Sequence, residues 1–190
     1  MERPAARLVE YNSYYRFHLH QGVSMFSTDY VCTLAAYGSW ATGRLLATAA
    51  ALEPGQLELA PFAGHPSLRA TFVHMLGAES LWRQRWEGFP SPTMLKPAEI
   101  PDLDALRERW AIEEAAWRER LATLDDAALT QPIRYHTLSG HPYTQPLWQI
   151  LAQVFNHATQ HRAEVAAMLT VLGHSPGDLD LIVYLRQGGG

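Results

Sequence analysis

The chain has 190 residues, 47% of them hydrophobic and 18% charged, and its formal net charge is −4 at neutral pH. This length and composition are typical of one globular domain rather than a disordered or fibrous chain, and the acidic balance argues against a nucleic-acid partner. The single cysteine excludes an internal disulfide and fits a cytoplasmic protein, and no apolar run is long enough to predict a membrane span.

The first 24 residues show no helical or strand periodicity. They carry several basic residues and lack the apolar core of a secretory signal. Ser27, Thr28 and Asp29 are all competent helix N-caps, and a clear helical pattern starts there. We therefore expect residues 1–26 to be a loosely attached N-terminal extension, disordered or an upstream artefact, and the folded domain to span residues 27–187.

Four helical segments follow, each identified by apolar residues that recur at every third or fourth position. Proline or glycine punctuates their ends. Because the stripes have nearly the period of helices that pack side by side, the sequence predicts an all-α four-helix bundle. The predicted helices cover residues 29–52, 67–86, 102–124 and 144–172.

A break in the helical pattern separates the third helix from the fourth. Residues 133–135 and 141–143 flank the sequence Thr-Leu-Ser-Gly, which predicts a small hairpin or an irregular flap. After the fourth helix, residues 181–185 form one more short apolar element.

Three of the nine histidines stand inside helical segments in a pattern that suggests a metal site. His157 and His161 are one turn apart on the apolar stripe of the fourth helix, so both rings can reach one point. His74 lies at the edge of the apolar face of the second helix. Two converging imidazoles and a third from another helix are the smallest protein ligand set of an open zinc-type site. The alternative is that each is a core histidine satisfied by a hydrogen bond, and periodicity does not show whether the two helices are neighbours.

Two carboxylates and one arginine could assist this site. Glu113 falls between two tryptophans on the inward seam of the third helix, where it could accept a hydrogen bond from a ligand imidazole or act as a general base. The pattern favours instead a small helix rotation that carries Glu113 to solvent. Glu164 could orient His161 or be an exposed helix carboxylate, and Arg162 is expected to point off the ligand face and form a structural salt bridge.

The histidine segment also resembles a known family. Residues 156–164 read NHATQHRAE, similar to the N-H-x-x-x-H-R-G-Q/E signature of the DinB-like (damage-inducible) helical bundle family. Residues 34–46, 72–82 and 172–185 resemble three further patterns of that family, in the right order. The resemblance extends over about residues 28–186, nearly the whole chain.

The resemblance implies a bundle in which His74, His157 and His161 hold one divalent transition metal, commonly zinc or nickel, with iron and manganese as further candidates. It also implies a homodimer. Ala163 replaces the usual glycine of the signature, and Gln153 stands where many members carry another histidine. A fourth protein ligand is therefore not expected, and the coordination site should be open.

Characterised relatives include transferases that use a low-molecular-weight thiol such as mycothiol or bacillithiol, and a thiol-dependent maleylpyruvate isomerase. The resemblance thus implies a metal-dependent transfer of such a thiol, as co-substrate, to an electrophilic small molecule. Glu113, because of its place in the pattern of the third helix, is the candidate catalytic residue. Two alternatives stay open: a metal-dependent hydrolase that uses bound water, and a metal-stabilised binding module without catalysis.

Overall fold

The computed structural model describes residues 26–53, 55–62, 66–89 and 93–188. Its described part is almost entirely helical, with one small antiparallel sheet, so the predicted all-α bundle with a flap is confirmed. The predicted extension lies outside the described residues except for Phe26, whose ring stacks on Trp148 at a centroid distance of 5.6 Å. The elements in chain order are α1 (Thr28–Ala49), α2 (Leu68–Trp86), α3 (Leu103–Leu121), β1 (Pro132–His136), β2 (Pro142–Pro146), α4 (Leu147–Val171) and α5 (Leu181–Arg186).

The four long helices close into a ring. α4 packs on α1 and α2, and α3 packs on the same two helices from the opposite side. The sequence pattern did not show whether the second and fourth predicted helices are neighbours, and the structure shows that α2 and α4 pack against each other. Within the described residues, no helix combines the length and apolarity that a membrane crossing requires.

Local side-chain chemistry explains where three helices begin. The side chains of Ser27, Ser67 and Asp102 each accept a hydrogen bond from the backbone N–H three residues later, which satisfies a donor that the first helical turn leaves free. α1 and α3 end three residues earlier than predicted, because residues 50–52 and 122–124 continue as tight turns rather than as α-helix.

The fourth helix starts three residues later than predicted because residues 144–146 belong to strand β2 of the hairpin. Thr144 pairs with Arg134, and Pro146 is the last residue of β2. The backbone N–H of Leu147 then donates to the carbonyl of Gln131 at 3.0 Å, which anchors the hairpin to the helix start.

The interior consists of two apolar clusters, one at each end of the bundle. The first surrounds Phe72 and Met168, and the second, next to the hairpin, surrounds Trp117 and Leu151. Both ends are therefore tightly packed. A cavity lies between them, and a cluster of three histidines lies where α2 meets α4.

Candidate metal centre

The three candidate histidines converge where α2 meets α4. His74 comes from α2, and His157 and His161 stand one turn apart on α4. The ring centroids are 5.2 Å apart for His74 and His157, 4.6 Å for His74 and His161, and 4.4 Å for His157 and His161. All three rings meet edge to face. The structure thus brings together the three residues that the spacing suggested.

The centre lies nearer the surface than the apolar stripe implied. His157 and His161 are half-buried and His74 is exposed, because the fully buried stripe of α4 runs beside the pair, through Leu151 and Val165. The expectation that the pair faces the core is therefore corrected. A seam position leaves the centre accessible to small molecules.

The donor geometry suits one metal ion. Each of the three residues offers a ring nitrogen, and these nitrogens lie within 4.8 Å of one another. Small side-chain rotations can close that separation onto a single ion with metal–nitrogen bonds of about 2.0–2.1 Å. Among the described residues, no carboxylate or thiol joins this cluster as a fourth ligand.

The surroundings of His74 and His157 favour the neutral form of both rings. Partial burial lowers the pKa of His74 and of His157, and the neighbouring imidazole of His161 lowers both further. Although His74 is exposed overall, its ring is partly desolvated by its edge-on packing against the other two. A neutral imidazole keeps the lone pair that a metal needs, so these rings are ready to bind one.

Glu164 contacts one ligand from behind. Its Oε2 lies 2.7 Å from Nδ1 of His161, and its Oε1 accepts a hydrogen bond from Gln160 at 3.3 Å. With its proton on Nδ1, His161 would have its lone pair on Nε2, free for a metal ion. Of the two roles considered for Glu164, the orienting contact is the one that the structure shows.

We expect a Glu164→Ala substitution to weaken metal binding by about 10–100-fold, because His161 loses the acceptor that sets its tautomer and orientation. Glu164→Gln retains an acceptor oxygen and should lose less. Competition titration with a chromogenic chelator measures both affinities. Equal affinity of the alanine variant and the wild type would show that the contact does not support the site.

Glu113 is in a different environment from the one expected. It is only 2% exposed, so the predicted rotation to solvent is wrong. Both carboxylate oxygens accept hydrogen bonds from Arg83, Oε1 from Nε at 2.6 Å and Oε2 from a terminal nitrogen at 3.0 Å. This bidentate pair joins α2 to α3 and raises the pKa of Arg83. Glu113 is therefore engaged by an arginine rather than by a ligand histidine, and its catalytic role stays a prediction.

Arg162 also departs from expectation. It is buried, its guanidinium lies over the ring of Tyr37 at 5.1 Å, and it donates to Oγ1 of Thr159 at 2.9 Å. Within the parts of the chain that the structure describes, no carboxylate lies within 4.0 Å of it, so the predicted salt bridge does not form.

Glu79 stands on α2 five residues after His74, in the segment 72–82 that resembles the family pattern, but no chemical role was predicted for it. Burial raises the pKa of Glu79 to about 7, against the opposing effect of nearby Arg162. The sequence feature that could have marked Glu79 as a candidate functional residue is a carboxylate at an inward position of a helix that is buried on nearly all sides.

The model of a family described as the DinB family matches residues 25–188, which include all the helices and the hairpin. No curated protein matches the chain.

Proposed function

The chain belongs to the DinB family, and we propose that it is a metal-dependent transferase that moves a low-molecular-weight thiol onto an electrophilic small molecule. The observation that carries this proposal is the convergence of three imidazoles, among the residues that the structure describes, on an accessible seam between two packed helices. Three protein ligands leave a coordination position for a co-substrate.

The residues fit a divalent transition metal. His74, His157 and His161 would hold it, and imidazole ligands suit zinc, nickel and iron, with manganese a weaker match. When bound, such an ion lowers the pKa of a coordinated thiol, so that a thiolate is present at neutral pH. Glu164 would hold His161 in its orientation, because its carboxylate lies within hydrogen-bond distance of Nδ1 of that ring.

The transferred sulfur comes from a co-substrate in this proposal. Cys32, the single cysteine of the chain, lies exposed on α1 and is not part of the histidine cluster. In the transfer, the thiol proton leaves to solvent and a sulfur lone pair forms the new C–S bond. The electrophile's leaving group departs with its bonding electrons, so atoms and charge balance.

The test is thiol-dependent turnover by metal-loaded protein. With 1-chloro-2,4-dinitrobenzene as electrophile and mycothiol or bacillithiol as thiol, we expect formation of the thioether with release of chloride, faster than the uncatalysed background. Chelator-treated protein should return to background, and adding back zinc or nickel should restore the rate.

Two other results would support the alternative functions instead. If metal-loaded protein shows no thiol-dependent rate but hydrolyses 4-nitrophenyl acetate in a metal-dependent way, the same three ligands activate water and the protein is a hydrolase. If it does neither, and chelation unfolds it, the metal stabilises a binding module instead.

A further inference from the structure

A cavity of about 490 Å³ lies inside the bundle, apart from the histidine cluster. α1, α3 and α4 form its walls, α2 contributes Glu79, and none of the three histidines lines it. Its size is within the range of small-molecule sites. Its largest apolar wall residues are Trp110, Trp117 and Phe155.

The cavity opens to solvent at one end. Four of its lining residues, Cys32, Ala36, Arg118 and Ala122, are exposed, and they come from α1 and from the C-terminal end of α3. A small molecule can therefore enter between these helices without separating the bundle.

The inner wall carries a buried arginine without an ion-pair partner. Arg162 is 5% exposed, and its contacts are the Tyr37 ring and the Thr159 hydroxyl. Among the described residues, its Nε has no hydrogen-bond partner, and neither Arg162 nor Glu79 belongs to an ion pair within 4.0 Å. A buried guanidinium stays charged, since burial lowers its pKa only from a very high value. An uncompensated charge of this kind is costly in a folded protein.

Glu79 neutralises that charge only in part at pH 7. Its pKa of about 7 means that about half of the molecules carry a protonated carboxyl. The groups that act on it are Arg162 from α4, which favours ionisation, and Glu113 and Glu114 from α3, which oppose it. Part of the positive charge of Arg162 therefore stays uncompensated at pH 7.

We propose that this cavity binds a small organic monoanion, with its carboxylate at Arg162 and its apolar body against Trp110 and Trp117. A monoanion cancels the charge of Arg162, and a protonated Glu79 can donate a hydrogen bond to it. An ammonium ligand would add a second cation, and a neutral ligand would leave the first uncompensated. The site is independent of the metal and of the proposed transfer reaction.

The first experiment compares three probes of equal shape and different charge on metal-free and metal-loaded protein. 4-Phenylbutyrate should quench the tryptophan fluorescence and bind equally in both forms by calorimetry. 4-Phenylbutanamide and 4-phenylbutylamine should bind at least about 10-fold more weakly, as expected for loss of a charge-assisted hydrogen bond. Equal affinities for the three probes, or no binding of the carboxylate, would overturn the proposal.

The polar groups are tested by variants and pH. Arg162→Gln should lower the affinity for 4-phenylbutyrate at least about 10-fold. Because protonation of Glu79 removes a like charge, the wild-type affinity should rise by up to about 10-fold from pH 8 to pH 6. Glu79→Gln, which resembles the protonated form, should bind as tightly at pH 8 as the wild type does at pH 6. An unchanged pH dependence in that variant would contradict the role of Glu79.

A second pair of variants remains informative if Arg162→Gln fails to fold. Ala36→Phe places a ring at the cavity mouth, and Ala47→Phe adds the same ring at an exposed position of α1 outside the cavity. Only Ala36→Phe should weaken 4-phenylbutyrate binding.

Alkylation of Cys32, the single thiol of the chain and a residue of the cavity mouth, gives a further test. Bound 4-phenylbutyrate should slow this alkylation, and equal alkylation rates with and without the ligand would place its binding elsewhere.

Discussion

Replacing His157 with alanine should remove the bound metal from the purified protein. His157 supplies one of the three converging nitrogens found among the described residues, and its ring contacts the rings of both other histidines. Loss of a direct ligand should exceed the effect of losing a supporting contact, so we expect metal affinity to fall by more than about 100-fold. Elemental mass spectrometry of untagged protein, loaded with zinc or nickel and then desalted, measures the metal content per chain.

His136→Ala is the matched control, because His136 is an exposed histidine on β1. This variant should hold as much metal as the wild type, about one ion per chain. Metal retained by the His157→Ala variant at the wild-type level would contradict the three-histidine centre. The same conclusion would follow if wild-type protein bound no zinc or nickel after loading.

Replacing Arg83 with methionine should have the largest effect on stability. The substitution leaves the Glu113 carboxylate, 2% exposed, without the two hydrogen bonds that Arg83 provides. Breaking one side of a buried ion pair costs about 3–5 kcal/mol of unfolding free energy, because a desolvated charge remains. Urea denaturation followed by circular dichroism measures the change.

Arg118→Met is the control for the loss of an arginine. Arg118 pairs with Glu114 at 3.3 Å on α3 but is 73% exposed, so its loss should change the unfolding free energy by less than about 0.5–1 kcal/mol. The double variant Arg83→Met, Glu113→Leu should recover most of the stability lost in Arg83→Met, since no charge is left buried. Similar losses in the two single arginine variants would show that the Arg83–Glu113 pair is not a buried stabilising contact.

The same variants separate a structural from a catalytic role of Glu113. If Glu113 acts only through Arg83, Glu113→Gln should reduce stability and leave the turnover of folded, metal-loaded protein unchanged. A large fall in turnover with normal metal content would support the catalytic role predicted from the sequence.

The parts of this architecture that could be predicted from the sequence are those that depend on interactions between residues close together in the chain. Helix periodicity, the N-caps Ser27, Ser67 and Asp102 and the hairpin turn all depend on contacts within a few residues, so the pattern reveals them directly. The four-residue spacing of His157 and His161 belongs to the same class, because one helical turn by itself places both rings on one side.

Only the tertiary structure decided which residues meet across helices. Whether His74 reaches the other two histidines depends on the adjacency of α2 and α4, and the partner of Glu113 is an arginine 30 positions earlier in the chain. The unpaired state of Arg162 beside the cavity likewise depends on how α1, α3 and α4 are rotated. These features follow from the packing of side chains that are distant in sequence. Such packing sets the order and rotation of the helices, and it leaves no periodic pattern in the sequence from which it could be predicted.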